Sequence, residues 1–284
     1  MLTINDNNAR YVIIDSSLED TEEIAKENNV LVLPFDGTKI YEVIRYIDGE
    51  PLFLEDHYKR LVDSANTAGI KNLISMSALR EYGKVLLEVN SQKDCNLKFI
   101  CAKGDEESYD NFIVYLSKYY YPEPQVYKTG VETKVIEETR ENPNAKISRQ
   151  EYIEKINEFK EKHNIFEAIL KNERGFLTEG SKSNLFFVKG DTVYTAPTSQ
   201  VLVGTMRKYV LKACEDNMIP VKLEAVHHDN IGEFDAAFLT GTSIKVLPIA
   251  KIDDVEYKSL KNEIVIKLMK GLEQIIKEYY NSNN

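Results

Sequence analysis

The chain has 284 residues, 43% of them hydrophobic and 29% charged, and carries a formal net charge of −10. That composition can bury a core and excludes a disordered chain, while an acidic balance without any basic block excludes an electrostatic nucleic-acid binder. Three scattered cysteines in no metal spacing, no signal-peptide pattern in "MLTINDNNAR" and no apolar run of ~20 residues together lead us to expect a cytoplasmic protein without a membrane partner.

In chain order, "YVII" (11–14) and "VLVL" (30–33) read as short strands. A strand over 39–47, a turn at Asp48-Gly49, a second short strand and a helix from about residue 55 follow, the helix carrying Leu61, Ala65 and Ala68 on an inward stripe. A second helix is expected near 77–90, then strands at 97–103 and 111–118. This order is that of an α+β domain over residues 1–120. "YYYPEPQVYKTG" holds two prolines and ends on Gly130, and marks residues 121–130 as a linker to a second domain, 131–284.

In the second domain we expect a strand over 131–138, a helix over 149–163 and strands near 166–170 and 175–177. A hairpin turning at Gly190-Asp191 comes next. A helix over 206–217, strands at 220–226 and 235–239, and a long amphipathic helix over 259–279 complete the chain.

Ser148 and Glu151 have capping-box spacing, so a helix is expected to begin at Arg149. Lys146 then stands just outside it, after an Asn142-Pro143-Asn144 turn, although spacing alone also fits one surface lysine among many. Thr205 in "VLVGTMRKYV" is an expected N-cap beside Gly204, and a helix end of this kind offers free N–H groups to an anion. Thr240-Gly241-Thr242-Ser243 forms a second hydroxyl-and-glycine cluster after a buried strand. Arg60 lies on the first helix, where a guanidinium could clamp a phosphate or pair with a surface acid. Glu179 sits in the polar knot "TEGSKSN" ahead of an apolar strand, and a carboxylate buried there needs a cationic partner.

Four segments in order resemble one family. "LTEGSKSNLFFV" is similar to its T/S-E-G-x-x-x-N-L/V-F pattern, "EDHYKRL" to its E-H-x-x-R-L helix, "GTMRKYVL" to its G-I-T-R segment and "TGTSIKVLPI" to its T-G-T turn. From about Tyr41 to Ile252 the chain resembles the fold-type IV (class IV) aminotransferases, which include branched-chain aminotransferases, D-amino acid aminotransferases and aminodeoxychorismate lyases. The resemblance implies a two-domain α+β fold, with a smaller N-terminal α/β domain and a larger C-terminal domain of mixed sheet or barrel with helices. It implies the cofactor pyridoxal 5'-phosphate, amino-acid and 2-oxo-acid substrates, and a homodimer.

The resemblance makes Lys146, which precedes Glu179 by 179 − 146 = 33 residues, the lysine that bonds the cofactor and shuttles the proton. Glu179 would pair with the protonated pyridine nitrogen. Arg60, Thr205, Met206 and Thr242 would hold the phosphate. Tyr41 would line the substrate pocket, and Lys103 stands where some members place a carboxylate-binding Arg. Tyr152 falls near the register of a residue that reaches the cofactor's phenolic oxygen. Met206 replaces the family's Thr, the opening motif is reduced to Asp36-Gly37, and Lys245 stands where branched-chain enzymes often carry Glu. Transamination is the expected activity; the alternatives are a lyase releasing pyruvate from aminodeoxychorismate and a non-catalytic relative that only binds a ligand.

Overall fold

The computed structural model describes residues 1–25, 30–104, 111–118, 121–139, 145–148 and 150–283. The chain divides into two compact units, Met1–Tyr120 with Ala145–Arg149, and Tyr121–Asn144 with Gln150–Asn284. No helix among the described residues is long and apolar enough to cross a membrane.

The first unit runs β1 (Leu2–Ile4), β2 (Tyr11–Ile14), β3 (Ser17–Asp20), α1 (Thr21–Ile24), β4 (Leu31–Leu33), β5 (Lys39–Ile47), β6 (Glu50–Pro51), α2 (Leu54–Ala68), α3 (Met76–Val89), β7 (Cys95–Ala102) and β8 (Asn111–Ser117). Six strands form an antiparallel sheet in the order β3-β2-β8-β7-β5-β6, and β1 pairs with β4. On one side Ile44, Leu97 and Phe99 pack with Leu61 of α2 and Leu79 and Leu86 of α3. Ile100, Ile113 and Tyr115 pack on the other with Ile4, Leu31 and Phe35. Cover on both faces explains why β7 and β8 are buried almost continuously, whereas β5 alternates.

The second unit contains α4 (Val126–Thr129), β9 (Val131–Glu137), α5 (Gln150–His163), β10 (Glu167–Lys171), β11 (Phe176–Gly180), β12 (Asn184–Lys189), β13 (Thr192–Tyr194), α6 (Thr205–Asp216), β14 (Val221–Lys222), β15 (Val226–His227), β16 (Ala236–Gly241), β17 (Lys245–Ile252), β18 (Val255–Glu256) and α7 (Glu263–Asn283). Its strands run β12-β16-β17-β9-β10-β11, and β11 pairs back onto β12, which closes a six-stranded barrel. The closing register pair is Glu179–Asn184. β9 pairs in parallel with both β10 and β17. Phe186 and Phe238, cross-strand partners, stack with centroids 4.9 Å apart.

Several expectations are corrected. The strand expected over 220–226 is two short pieces, because β14 pairs with β13 and β15 with β11. Residues 245–252, for which no element was expected after the T-G-T turn, are a central strand between β16 and β9. The last helix begins at Glu263 rather than 259, after a short 3-10 turn at Ser259–Lys261. Gly204, not Thr205, is the N-cap of α6, since residue 204 keeps an extended backbone and Thr205 is already helical. The expected helix start at Arg149 and the turn over 142–144 lie outside the described residues.

Candidate active site

In the first unit the site is built around Glu42. Strand β5 alternates, which turns Ile40, Glu42, Ile44 and Tyr46 toward the core. The helix α2 covers that face with His57, Arg60, Leu61 and Ser64, a stripe at helical spacing. A carboxylate on the strand therefore meets a guanidinium and an imidazole on the helix, inside the core. Arg60 donates from Nη2 to Glu42 Oε1 at 2.6 Å and from Nε to Oε2 at 2.9 Å. His57 Nδ1 lies 3.1 Å from Oε1, and the Lys146 ammonium lies 3.5 Å from the same oxygen.

Burial alone would raise the Glu42 pKa, but the charges of Arg60 and then Lys146, with the hydrogen bond from His57, hold it well below the usual carboxylate range. Burial pushes His57 down. A neutral imidazole facing a carboxylate must carry its proton on Nδ1, which leaves Nε2 as an acceptor, and that buried atom has no hydrogen-bond partner among the described residues.

Lys146 is held by its backbone as well. Its N–H donates to Ser64 Oγ at 3.1 Å, its carbonyl accepts from Tyr41 N at 3.0 Å, and Ser148 N donates to Lys39 O at 2.8 Å. The segment 145–148 thus lies along β5, with Ile147 bridging Ile40. The Lys146 ammonium sits 5.0 Å from the Tyr41 ring centroid, within cation–π range. Lys98 approaches the same ring at 5.8 Å while its ammonium is paired with Asp6 at 2.8 Å. Lys103 is placed elsewhere: a Cβ at Gly69, which ends α2 with φ +71, would come 3.1 Å from its Nζ, at the helix end where a cation is favoured.

In the second unit the knot around Glu179 is resolved into two buried carboxylates. Glu167 accepts from Ser181 Oγ (2.5 Å), Ser183 Oγ (3.0 Å), Lys182 N (3.2 Å) and Ala168 N (3.0 Å), so the serines of "GSKS" serve this acid. Glu179, 2% exposed, accepts at Oε2 from Asn184 Nδ2 and from Leu202 N. Arg207 of α6 is also buried and donates to Ala196 O at 2.9 Å. Burial lowers its pKa, and the Glu179 charge opposes that shift.

The first turn of α6 follows a Gly204 cap that has no side-chain hydrogen bond, and Thr205 and Met206 are both buried in it. Thr242 lies in the turn after β16, and Thr240, across from Asn184, has a buried hydroxyl without a hydrogen-bond partner among the described residues. Tyr152 OH lies 3.4 Å from Ser181 O. The first unit thus brings Lys146, Arg60 and Tyr41 together around Glu42, with Lys103 apart. The second holds Glu179, Thr205, Met206 and Thr242 near the end of the barrel where β11 meets β12.

Sequence reading missed Glu42, His57, Glu167 and Asn184. The signal for Glu42 was present: an acid at a core-facing position of "KIYEVIRYI", with His57 and Arg60 three apart on the next helix.

A model of the class IV amino-transferases matches residues 39–252. The chain is 29% identical over 232 residues to a D-alanine aminotransferase from Bacillus licheniformis, covering 76% of this chain and 80% of that protein. Its structure is similar to the branched-chain amino acid aminotransferase of Escherichia coli, with a TM-score of 0.82, 20% identity and 95% of each chain covered. The branched-chain aminotransferase of the thermophilic archaeon Thermoproteus uzoniensis, solved with norvaline, gives a TM-score of 0.78 at 22% identity, again over 95% of each chain. These likenesses agree with the expected fold class, and a family match spanning more than half of the sequence settles the kinship: the chain belongs to the class IV aminotransferase family.

Proposed function

We propose that the protein moves an amino group between an amino acid and a 2-oxo acid, with pyridoxal 5'-phosphate as cofactor and Lys146 as its anchor. The donor set fits that group. Glu179 is a buried acid suited to a cationic ring nitrogen. The α6 turn carries no side-chain cap, and the buried Thr240 hydroxyl has no hydrogen-bond partner among the described residues. The cofactor, when bound, supplies an electron sink for the charge left on the substrate's α-carbon.

The observation that carries the reading is the setting of Lys146. Ser64 and Tyr41 fix its backbone, and its ammonium lies against the Glu42 carboxylate and the Tyr41 ring. A lysine so restrained can give and take a proton at one atom without losing its position. Glu179 would keep the ring nitrogen protonated. Arg60, Thr205, Met206 and Thr242 are assigned to the phosphate, and Tyr41 to the substrate pocket. Lys103 is assigned to the substrate carboxylate, by resemblance. Tyr152 would contact the ring's phenolic oxygen.

The substrates named for the relatives, D-alanine and branched-chain amino acids, are the first to screen. A homodimer is proposed on the same resemblance, and a cytoplasmic setting on the three scattered free cysteines. The test is the visible spectrum of the protein with pyridoxal phosphate, followed by borohydride reduction and peptide mapping. A yellow protein whose reduced label maps to Lys146, and which loses the colour when D-alanine or leucine is added, supports the proposal. A protein that stays colourless with added cofactor refutes it. Pyruvate released from aminodeoxychorismate without any 2-oxo acid would replace transamination by the lyase reaction.

A further inference from the structure

Glu179 and the first turn of α6 are joined by one hydrogen-bonded ring. Asn184 Nδ2 donates to Glu179 Oε2 at 3.2 Å and to Leu202 O at 2.8 Å, and Leu202 N donates to the same Glu179 oxygen at 3.1 Å. Leu202 is two residues ahead of Gly204, the cap of α6. The other end of the Asn184 amide reaches that cap as well, because a Cβ at residue 204 would overlap Asn184 Oδ1. Gly204 has φ −67 and ψ 139, a backbone that any residue adopts. Asn184, rather than the backbone, is what requires glycine there.

We propose that Asn184 is a positioning residue that locks Glu179 to the first turn of α6, so that the two stand at a fixed distance and direction. This rests on the proposed cofactor roles of Glu179 and Thr205. A pyridine ring and its phosphate are joined by a short, stiff linkage, so anchors on two separate elements serve it only if their spacing is set beforehand. A spacing fixed during folding removes an ordering cost from binding. A carboxamide suits the task because it donates to the acid with one group and packs against the helix cap with the other. Asn184 also closes the barrel opposite Glu179, and the spacing is therefore tied to the barrel's own register.

The test measures three ligands against the cofactor-free full-length protein: pyridoxal phosphate, pyridoxal without its phosphate, and inorganic phosphate. Glu179→Gln should weaken pyridoxal about tenfold and leave phosphate within about twofold. Asn184→Ala should weaken both pyridoxal and phosphate by about tenfold. Gly204→Ala, a change at the phosphate end, should weaken pyridoxal by about fivefold or more on its own. In the Asn184→Ala background it should add less than about twofold, since the space it needs has been vacated.

A merely structural asparagine would lower the melting temperature and leave the affinities for pyridoxal and for phosphate within about twofold of wild type. The proposal is overturned if Asn184→Ala affects only one of the two partial ligands, or if Gly204→Ala costs the same in both backgrounds. Should Asn184→Ala fail to fold, Gly204→Ala decides alone: unchanged pyridoxal affinity overturns the proposal and weakened affinity sustains it. Wild-type protein that binds neither pyridoxal phosphate nor pyridoxal would instead remove the cofactor reading, and the proposal with it.

Discussion

Replacing Glu42 by Gln tests the buried charge cluster most directly. The side chain is fully buried and takes two bonds from Arg60 and one each from His57 and Lys146, with Arg60 itself only 8% exposed. Glutamine keeps the volume but removes the negative charge, which leaves a buried guanidinium without its counter-charge. Breaking a buried pair in this way costs about 3–5 kcal/mol, and at about 2–4 °C per kcal/mol the melting temperature should fall by about 6–20 °C.

Scanning calorimetry at pH 7.5 reads the shift. Repeating the scans at lower pH reads its origin. Glu42 has a folded pKa well below its ordinary 4.5, so its contribution is complete above pH 4.5 and is lost as the pH falls through the depressed value. The gap between wild type and Glu42→Gln should therefore be constant from pH 8 to pH 5 and shrink below 4.5. A variant that melts within about 2 °C of wild type at pH 7.5, or a gap independent of pH down to 3, would refute the argument.

Three further outcomes are expected. Lys146→Ala should abolish both the borohydride-trapped label and amino transfer while the protein still melts cooperatively; a label at another lysine would move the anchor elsewhere. Gly83→Ala, inside α3, should destabilise by about 1–3 kcal/mol in urea, because the added Cβ overlaps the Tyr46 hydroxyl, although alanine ordinarily gains about 1 kcal/mol over glycine in a helix. The native thiols should resist a disulfide reagent at pH 8 and react on unfolding, since burial pushes Cys95 and Cys214 up to about 12 and Cys101 is also buried; rapid reaction of the folded protein would contradict the burial.

The parts of the fold legible in the sequence are those where local pattern and burial agree. The alternation of residues 39–47 and the stripe of α2 were plain because each element buries one face. β17 carries Pro248, a residue that disfavours a central strand, yet Pro248 stands opposite Phe238 in mid-sheet, where pairing on both sides overrides local preference. Residues 220–226, expected as one strand, serve two different partners, which only the three-dimensional edges show. Lys146 and Glu179 stood out through spacing and resemblance. The acids that organise their surroundings take more than one element to read: Glu42 meets His57 and Arg60 15 and 18 residues on and Lys146 104 residues on, and Glu167 meets Ser181 and Ser183 14 and 16 residues on, so each cluster becomes legible only when a strand's inward face is set against the segment that covers it.

The closed barrel also constrains when the second unit can finish folding during synthesis. β11 and β12 meet within a few residues of each other, so the hairpin that bears Glu179 and Asn184 can form as soon as it has left the ribosome. β9 has no such freedom. One of its two neighbours is β17, and the pairing of Val131 with Ile249 joins residues 249 − 131 = 118 positions apart. At about 5–20 residues per second, β9 waits on the order of ten seconds with one edge unpaired. During that interval an exposed strand edge is open to pairing with another chain, and a message truncated before residue 245 would leave it so permanently.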